Sequence, residues 1–494
     1  MKTGDYLIYK LSDQMKKCTK IDAELFRKLD VKRGLRNEDG TGVLVGLTNI
    51  GNVVGYDRLP DGTLKPIEGK LFFRGYEISD LVGSILDQKR FGFEEVAYLL
   101  LSGNLPDKEE VSEFHRLLVE NMPLEKNTLL HIIELEGRDI MNILSRSVLE
   151  MYTFDENPDD TSRENLMRQS IELLSKIPTI IAYAFNMLRH GGQGRSLHIR
   201  HPQKELSFAE NFLFMLKGKN YTELEARTLD LMLILHSEHG GGNNSTFTVR
   251  VTSSTGTDTY SSIAAGIGSL KGPKHGGANL KVAQMLNYLK NAVNDWTDED
   301  EIVSHLEGIL AKKELDGMGL LYGIGHAVYT LSDPRAVLLK KLAGELACEK
   351  HRTKEFEFLQ RVERLAIQTV YRIKGHGKTL CANVDFYSGF VYDLIDIPTD
   401  IYTPLFAMSR IVGWCAHRNE ELNFEGRRII RPAYRCVTEE REYIPIEKRW
   451  PAPPAPDPTL RFGTGTQPTS TPEASWRGEA GLLTGLWHGR PAHR

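Results

Sequence analysis

Cysteine is scarce in this sequence, and its spacing argues against the sites that cysteine usually builds. Five cysteines occur among 494 residues, and no two of them form a C-x-x-C motif. An odd number of widely separated thiols speaks against a disulfide framework and against a structural zinc site. The distribution fits a protein kept in a reducing compartment.

An excess of charge of either sign is also missing. The formal net charge is -4, with 62 Lys and Arg residues against 66 Asp and Glu residues. This balance gives no reason to expect nucleic acid or an anionic membrane surface as a partner. Any anionic ligand would have to be bound by a local cluster of cationic side chains.

Long apolar runs are absent as well. Runs such as LMLIL at 231–235 are far shorter than the roughly 20 residues that a membrane-spanning helix needs. The first 18 residues lack the apolar core of a signal peptide and the Arg- and Ser-rich bias of a transit peptide. We therefore expect a cytoplasmic protein without membrane insertion.

The sequence does contain helical periodicity. Apolar residues recur at three- and four-residue spacing through most of the chain, which has 40% apolar residues, and this spacing is typical of amphipathic helices. Period-two patterns are few and short, and they are confined to the first 75 residues. The pattern predicts an all-α protein with a few short N-terminal strands.

Three helix starts are marked by capping residues. A Ser or Thr followed three residues later by Glu forms a capping box, and an Asp before Pro places a carboxylate at the N-cap and proline at the first helical position. Glycines after two of these helices are candidate stops. The starts are Ser207 with Glu210, Thr222 with Glu225 (a helix running to His236), and Asp333-Pro334; the stops are Gly218 and Gly240.

The last 45 residues differ in composition from the rest. Residues 450–494 are rich in Pro, Gly, Ala and Thr and contain few apolar residues that could form a core. We predict that this tail is disordered, and its abrupt change of composition resembles a cloning remnant or an altered reading frame. It is left out of the fold prediction.

Common cofactor motifs are not completed. GHGKT at 375–379 resembles the end of a P-loop, but Arg372 stands where that motif needs its first glycine. HSEH at 236–239 lacks the H-E-x-x-H order of a zinc site, so His236 is better interpreted as a buried, hydrogen-bonded histidine. GIGHAV at 323–328 lacks the last glycine of a dinucleotide fingerprint.

Three other segments, taken together, carry a specific signal. They are GPKHGGAN around His275, GIGHAV around His326 and NVDFYSG around Asp385. In this order, and with LFFRGYEISDL, SFAENFLFMLKG, LHSEHGGGN and SRIVGWCAHRNE around them, they resemble the citrate synthase family over about residues 45 to 449.

The resemblance implies a catalytic group of three residues. Asp385 would be the base that removes a proton from the methyl group of a thioester, and His275 would donate a hydrogen bond to the enol oxygen. His275 precedes a helix start, where the helix dipole favours a neutral ring. His326 would donate to the ketone that becomes an alkoxide.

The resemblance also implies how the substrates bind. The two carboxylates of oxaloacetate would be met by Arg335 and Arg410, and by Arg431 reaching across from a second subunit. His239 would make a further contact with the oxaloacetate. The segment after Arg431-Pro432 lacks a glycine that is frequent in the family. The loop formed by Gly323, Ile324 and Gly325 would contact CoA, and Lys374 and Lys378 are candidates for contacts with its phosphates.

The expected architecture and activity follow from the same resemblance. A large helical domain would comprise residues 45–272 and 385–449, a small domain residues 273–384, and an N-terminal extension residues 1–44. The implied enzyme is a homodimeric transferase of the tricarboxylic acid cycle that condenses acetyl-CoA with oxaloacetate, acetyl-CoA being a substrate and no metal or other cofactor being needed. A 2-methylcitrate synthase, a citryl-CoA lyase module and a non-catalytic helical scaffold are the alternatives.

Overall fold

The computed structural model describes residues 3–38, 40–135, 137–375 and 379–449. Within these ranges the chain forms eighteen α-helices and three β-strands. The predicted all-α fold with a few N-terminal strands is therefore confirmed. The predicted disorder of residues 450–494 lies outside the described residues.

The helices follow one another along the chain with mostly short connections. In chain order they are α1 (Thr3–Cys18), α2 (Glu24–Lys28), α3 (Ile78–Asp87), α4 (Phe93–Ser102), α5 (Lys108–Asn121), α6 (Lys126–Glu134), α7 (Ile140–Phe154), α8 (Arg163–Gln193), α9 (Phe208–Lys217), α10 (Glu223–His236), α11 (Asn244–Ser253), α12 (Thr259–Lys271), α13 (Ala278–Ala292), α14 (Glu299–Leu310), α15 (Pro334–Glu349), α16 (Thr353–Lys374), α17 (Val384–Leu394) and α18 (Tyr402–Asn423).

The three strands form one small antiparallel sheet in the order β1-β2-β3, with β1 at Gly51–Arg58, β2 at Leu64–Phe73 and β3 at Tyr76–Glu77. Two of them lie in the predicted region, and β3 lies just beyond residue 75. The sheet packs on the segment that follows His326, where the Thr330 hydroxyl donates to the Gly55 carbonyl over 2.8 Å. It thereby supports one wall of the site described below.

The longest helix, α8, lies in the core and packs against α5, α6, α7, α9 and α18. It is long and apolar enough to cross a membrane by length and composition, but 78% of its most apolar window is buried inside the protein. Burial of this kind is typical of the central helix of a helical domain. A second group of helices is formed by α13 to α17, which pack on one another.

The chain divides into two units after Arg431, and the described residues of the second unit are 432–449. These residues are exposed, and their only helical element is a short 3₁₀ turn at Ile446–Lys448. This division does not separate a large from a small helical domain, so the predicted boundaries at 45, 273 and 385 stay predictions.

The predicted helix starts agree with the capping geometry. Ser207 and Glu210 form a complete capping box, and Asp333 accepts the backbone N–H of Arg335 at the start of α15. Thr222 accepts from Glu225 N, but the Glu225 carboxylate binds Lys217 and Lys350 instead of returning to the cap.

The two predicted stops differ in outcome. Gly218 is the C-cap of α9, as predicted. Gly240 does not end α10, because that helix ends at His236, the predicted last residue, and residues 237–240 are not helical.

Candidate active site

The end of α10 and the segment that follows it bring two histidines into the interior. The helix buries nearly all of its last turns and ends at His236, and His239 follows in a glycine-rich turn. Gly240 has φ +80°, a left-handed conformation that residues with a side chain rarely adopt. The glycine thus allows the chain to turn directly behind His239.

Two loops that are distant in sequence are joined beside this turn. Gly325 N donates to Cys381 O over 2.7 Å, and Asn383 N donates to Gly323 O over 2.9 Å. The Asn383 side chain donates a further bond to Gly325 O over 2.9 Å. These bonds fix the loop that carries His326 against the start of α17, which carries Asp385.

The protonation of His326 is defined by backbone contacts. Its Nδ1 accepts hydrogen bonds from the backbone N–H groups of Val328 and Tyr329, each over 3.0 Å. A nitrogen that accepts two N–H donors carries no proton, so the proton of the neutral ring is on Nε2. His326 Nε2 is therefore a hydrogen-bond donor that faces the site.

His239 lies within reach of that donor. The Nε2 atoms of His239 and His326 are 3.0 Å apart, so the His239 nitrogen accepts and its own proton lies on Nδ1. Among the described residues that Nδ1 has no hydrogen-bond partner. Burial, together with the nearby charge of Arg335, lowers the pKa of His239 well below its ordinary value, so the ring is neutral.

Arg335 is held at the start of α15 by the residue that caps the helix. Its Nε and Nη2 donate to the two carboxylate oxygens of Asp333 over 3.0 and 2.7 Å. Burial disfavours the charge, but the attraction of Asp333 outweighs it and raises the pKa of Arg335. Asp333 also accepts from Val384 N over 3.2 Å, so it links the starts of α15 and α17.

Arg410 is a buried cation with two unused donors. It is fully buried on α18, and its Nε donates to the His236 carbonyl over 2.6 Å. Its Nη1 and Nη2 have no hydrogen-bond partner among the described residues. Burial lowers the pKa of Arg410 to about 10, which leaves the group charged at neutral pH. A buried, under-bonded guanidinium is suited to bind a carboxylate.

Asp385 occupies the first turn of α17. The side chain of Asn383 caps this helix by accepting Asp385 N over 3.0 Å, and no hydrogen bond to the Asp385 carboxylate is found in the described ranges. Burial raises the pKa of Asp385 to about 6, although Arg335 and Arg410 act in the opposite direction. The carboxylate is thus ionised at neutral pH and more basic than an exposed aspartate.

His275 lies in the turn that precedes α13, as predicted, with its Nε2 3.0 Å from Ser245 Oγ. Ser245 Oγ also lies 2.9 Å from Asn243 Oδ1 and accepts the Trp414 indole N–H over 3.3 Å. The single hydroxyl proton can go to either His275 or Asn243. Burial, together with Arg410, lowers the pKa of His275 to about 4, so this ring is neutral as well.

Aromatic rings connect these groups into one site. His326 stacks on Tyr329 with ring centroids 4.6 Å apart, and the Arg335 guanidinium lies 5.6 Å from the same ring. Phe406 lies next to three other residues of the site. Its ring centroid is 4.8 Å from the Arg410 guanidinium, 4.9 Å from the His236 ring centroid and 6.3 Å from the His275 ring centroid.

Arg431 is not part of this cluster within one chain. It is exposed in the extended segment after α18, so its predicted role depends on a second subunit and stays a prediction.

The predicted CoA loop borders a cavity of about 400 Å³. Ile324 lines it together with Lys374, Gly375, Val370 and Leu380. Gly323 and Gly325 flank Ile324 with φ +80° and +98°, which explains the glycines on either side. Lys378, the second candidate for a contact with the CoA phosphates, lies outside the described residues.

Several residues around the site escaped the sequence interpretation. Glu238 and His417 belong to LHSEHGGGN and SRIVGWCAHRNE, and Ser245 follows the first of these segments by two residues. Nothing in the sequence indicates that Glu238 contacts His417 or that Ser245 contacts His275. The prediction that His236 is a buried, hydrogen-bonded histidine is confirmed for its Nδ1, which donates to Met232 O over 2.9 Å. Its Nε2 is buried without a partner among the described residues.

Comparisons with known proteins agree on one family. The family model "Citrate synthase, C-terminal domain" matches residues 39–433. Citrate synthase from Synechocystis sp. is 34% identical over 395 residues, covering 79% of this chain and 89% of the relative. Citrate synthase 2 from Bacillus subtilis is 34% identical over 386 residues, covering 78% of this chain and 94% of the relative.

Solved structures give the same result. The citrate synthase from Pyrobaculum aerophilum superposes with a TM-score of 0.67 at 31% identity, covering 82% of this chain and 94% of that one. The citrate synthase from Thermoplasma acidophilum was solved as a ternary complex with carboxymethyl coenzyme A and oxaloacetate. It has a TM-score of 0.68 at 27% identity, covering 85% of this chain and 99% of that one.

Proposed function

Because the chain belongs to the citrate synthase family, we propose that this condensing transferase joins the acetyl group of acetyl-CoA to oxaloacetate and hydrolyses citryl-CoA to citrate and CoA. The relative from Thermoplasma acidophilum was solved with oxaloacetate and carboxymethyl coenzyme A, which supports this pair of substrates. The residue roles below are part of the proposal.

The observation that carries the proposal is the state of Arg410. Two nitrogens of this fully buried guanidinium have no partner among the described residues, and such a group is energetically costly unless an anion completes its hydrogen bonds. Arg335 supplies a second cation nearby, and its charge is already balanced by Asp333. A small dicarboxylate such as oxaloacetate would meet both groups, with Arg431 of the partner subunit in a homodimer adding a third cation.

The acyl-CoA would be activated between Asp385 and His275. Asp385, with a pKa of about 6, would remove the methyl proton, because a desolvated carboxylate is a stronger base than one in water. The Ser245 hydroxyl, which donates to Asn243 Oδ1 in the structure, would turn to donate to His275 Nε2. The ring proton would then lie on Nδ1, from which it would be donated to the thioester oxygen. A neutral donor of this kind stabilises the developing enolate.

The ketone of oxaloacetate would be polarised by His326. Its Nε2 carries the proton because the backbone of Val328 and Tyr329 occupies Nδ1. In the described conformation this proton is donated to His239, and the substrate carbonyl oxygen would replace that acceptor. His239 would then contact the bound oxaloacetate, and the cavity beside Ile324 and Lys374 would receive part of CoA.

Three further expectations belong to the same proposal. The enzyme would act in the cytoplasm, in the tricarboxylic acid cycle, and would need no metal or other cofactor because donors and base all come from side chains.

Propionyl-CoA in place of acetyl-CoA, giving a 2-methylcitrate synthase, is the closest alternative, since one additional methylene in a pocket changes discrimination by only about 1–3 kcal/mol.

The test is release of free CoA thiol from acetyl-CoA and from propionyl-CoA, each with and without oxaloacetate. We expect oxaloacetate-dependent release with acetyl-CoA at the higher kcat/KM. A higher value with propionyl-CoA would favour the 2-methylcitrate synthase. No release with either thioester from folded protein would favour the non-catalytic scaffold and contradict the proposal.

A further inference from the structure

A buried hydrogen-bonded pair of side chains lies directly behind His239, and the mechanism above does not use it. Glu238 and His417 are both fully buried, and His417 Nε2 lies 3.0 Å from Glu238 Oε1. The two residues are 179 positions apart in the sequence. Their contact therefore ties the segment after α10 to α18, the helix that carries Arg410.

Glu238 also fixes the backbone around its neighbour. The same Oε1 accepts a hydrogen bond from Gly240 N over 2.5 Å. Because this bond runs from residue 238 to residue 240, it closes the turn in which His239 lies. A carboxylate that accepts a backbone N–H forms a strong, directional bond, so the orientation of the His239 backbone depends on Glu238.

His417 makes a second attachment between α18 and the segment that follows α10. It follows Arg410 by two helical turns, so both side chains lie on the same face of α18. Arg410 bonds the His236 carbonyl, and His417 bonds the Glu238 carboxylate. The helix thus holds the segment 236–240 at two points, one on each side of Ser237.

Two glycines make room for the pair. A Cβ at Gly51 would lie 2.7 Å from Glu238 Oε1, and a Cβ at Gly413 would lie 2.7 Å from Glu238 Oε2 and 2.3 Å from the Ser237 carbonyl. Contacts this short cannot form without displacement of the Glu238 segment. The slot around the carboxylate is therefore closed on the β1 side and on the α18 side.

We propose that Glu238 and His417 are positioning residues that hold His239 and Arg410 in the relative geometry that oxaloacetate requires. The inference rests on the proposed function, because it concerns the same substrate. Both residues act through His239 and Arg410. A misplacement of about 1 Å can cost on the order of a hundredfold in rate, so loss of the pair should reduce kcat/KM for oxaloacetate by about ten- to a hundredfold.

The principal test compares two substitutions of His417. His417→Ala removes the donor and leaves Glu238 without its partner, whereas the amide nitrogen of His417→Gln can occupy the position of Nε2 and restore the bond. We expect the dissociation constant of oxaloacetate, measured by titration calorimetry, to rise about tenfold or more in His417→Ala and to return to within threefold of wild type in His417→Gln.

A matched control and an independent variant accompany it. His115→Ala breaks another His–Glu pair, at 3.0 Å from Glu94, and should lower the melting temperature without changing oxaloacetate binding. Gly413→Ala removes no hydrogen-bonding group but displaces the Ser237–Glu238 segment, and should weaken oxaloacetate binding as His417→Ala does. All variants are compared as folded, full-length protein.

The outcomes separate this inference from the proposed function. Wild type that neither binds oxaloacetate nor releases CoA would remove both. Wild type that binds oxaloacetate, with His417→Ala and Gly413→Ala within twofold of it, would overturn the positioning role alone. Equal weakening by His417→Ala and His115→Ala would also overturn it, because the effect would then be one of general stability.

Discussion

Asp385 is the residue whose titration should control activity at mildly acidic pH. Its pKa is raised to about 6 by burial, and a base must be ionised to accept a proton. The pKa values of His275 and His236 are lowered to about 4 and about 3, so these rings stay neutral in this range.

We therefore predict that kcat/KM is level at pH 7 to 8 and falls about tenfold per pH unit below pH 6. The measurement is an initial-rate profile from pH 5 to 8 in a buffer series of constant ionic strength. A profile that stays flat down to pH 5 would show that the essential base has a lower pKa than Asp385.

Arg410 should contribute to binding of one substrate only. Arg410→Lys retains a cation but loses the planar pair of donors that matches a carboxylate. A hydrogen bond to a charged group contributes about 1.5–3 kcal/mol, so KM for oxaloacetate should rise roughly ten- to a hundredfold while KM for acetyl-CoA changes little. Equal increases in both KM values would indicate a general distortion of the site.

At this scale the sequence indicated which residues to consider but not their chemical states. His326 and Asp385 could be named from their motifs, and the structure brings their loops together. The tautomer of His326 depends on the backbone N–H groups of Val328 and Tyr329. No sequence motif encodes that geometry, because it arises from the local path of the chain.

At the scale of the elements, α5 is connected to the start of α9 through Glu94 of α4, which contacts His115 of α5. The pKa of this histidine is strongly perturbed. His115 Nδ1 contacts Glu94 over 3.0 Å, and Glu94 also accepts from Phe208 N over 2.9 Å. The hydrogen bond to Glu94 raises the pKa of His115 to about 9, against an opposing effect of burial. The charged pair therefore forms in the folded state over most of the neutral range.

The pH dependence of stability follows from that shift. A folded-state pKa above the unfolded value of 6.5 means that the contribution is fully present below pH 6.5 and is lost as pH rises through about 9. We predict that His115→Ala lowers the free energy of unfolding by about 1 kcal/mol at pH 6 and by clearly less at pH 10. Urea unfolding at both pH values measures the difference; a difference that grows with pH would contradict the assignment.

Helix starts were easier to predict than helix ends. Ser207 and Asp333 were recognised because a capping side chain bonds backbone within three residues, and both act as predicted. The extent of α10 to His236 was predicted correctly, but Gly240 was wrong as its stop, because the chain leaves the helix where Arg410 and His417 bind it from α18. Those are tertiary contacts that local sequence does not report.

At the scale of the whole molecule, the all-α fold could be predicted from periodicity and resemblance, and it is confirmed. The assembly of the site depends on contacts between distant segments, such as Glu238 with His417 and Gly323 with Asn383. Spacing along one chain gives no information on such pairs. The division into a large and a small domain, and the homodimer, remain predictions.

The central claim is that the buried cluster performs an oxaloacetate-dependent condensation with Asp385 as the base. The most direct measurement is the rate of CoA release from saturating acetyl-CoA with and without oxaloacetate, in wild type and in Asp385→Asn, which preserves size but cannot accept the proton. We predict release only with oxaloacetate, and a loss of at least about a hundredfold in the variant. Release that Asp385→Asn leaves unchanged would contradict the account.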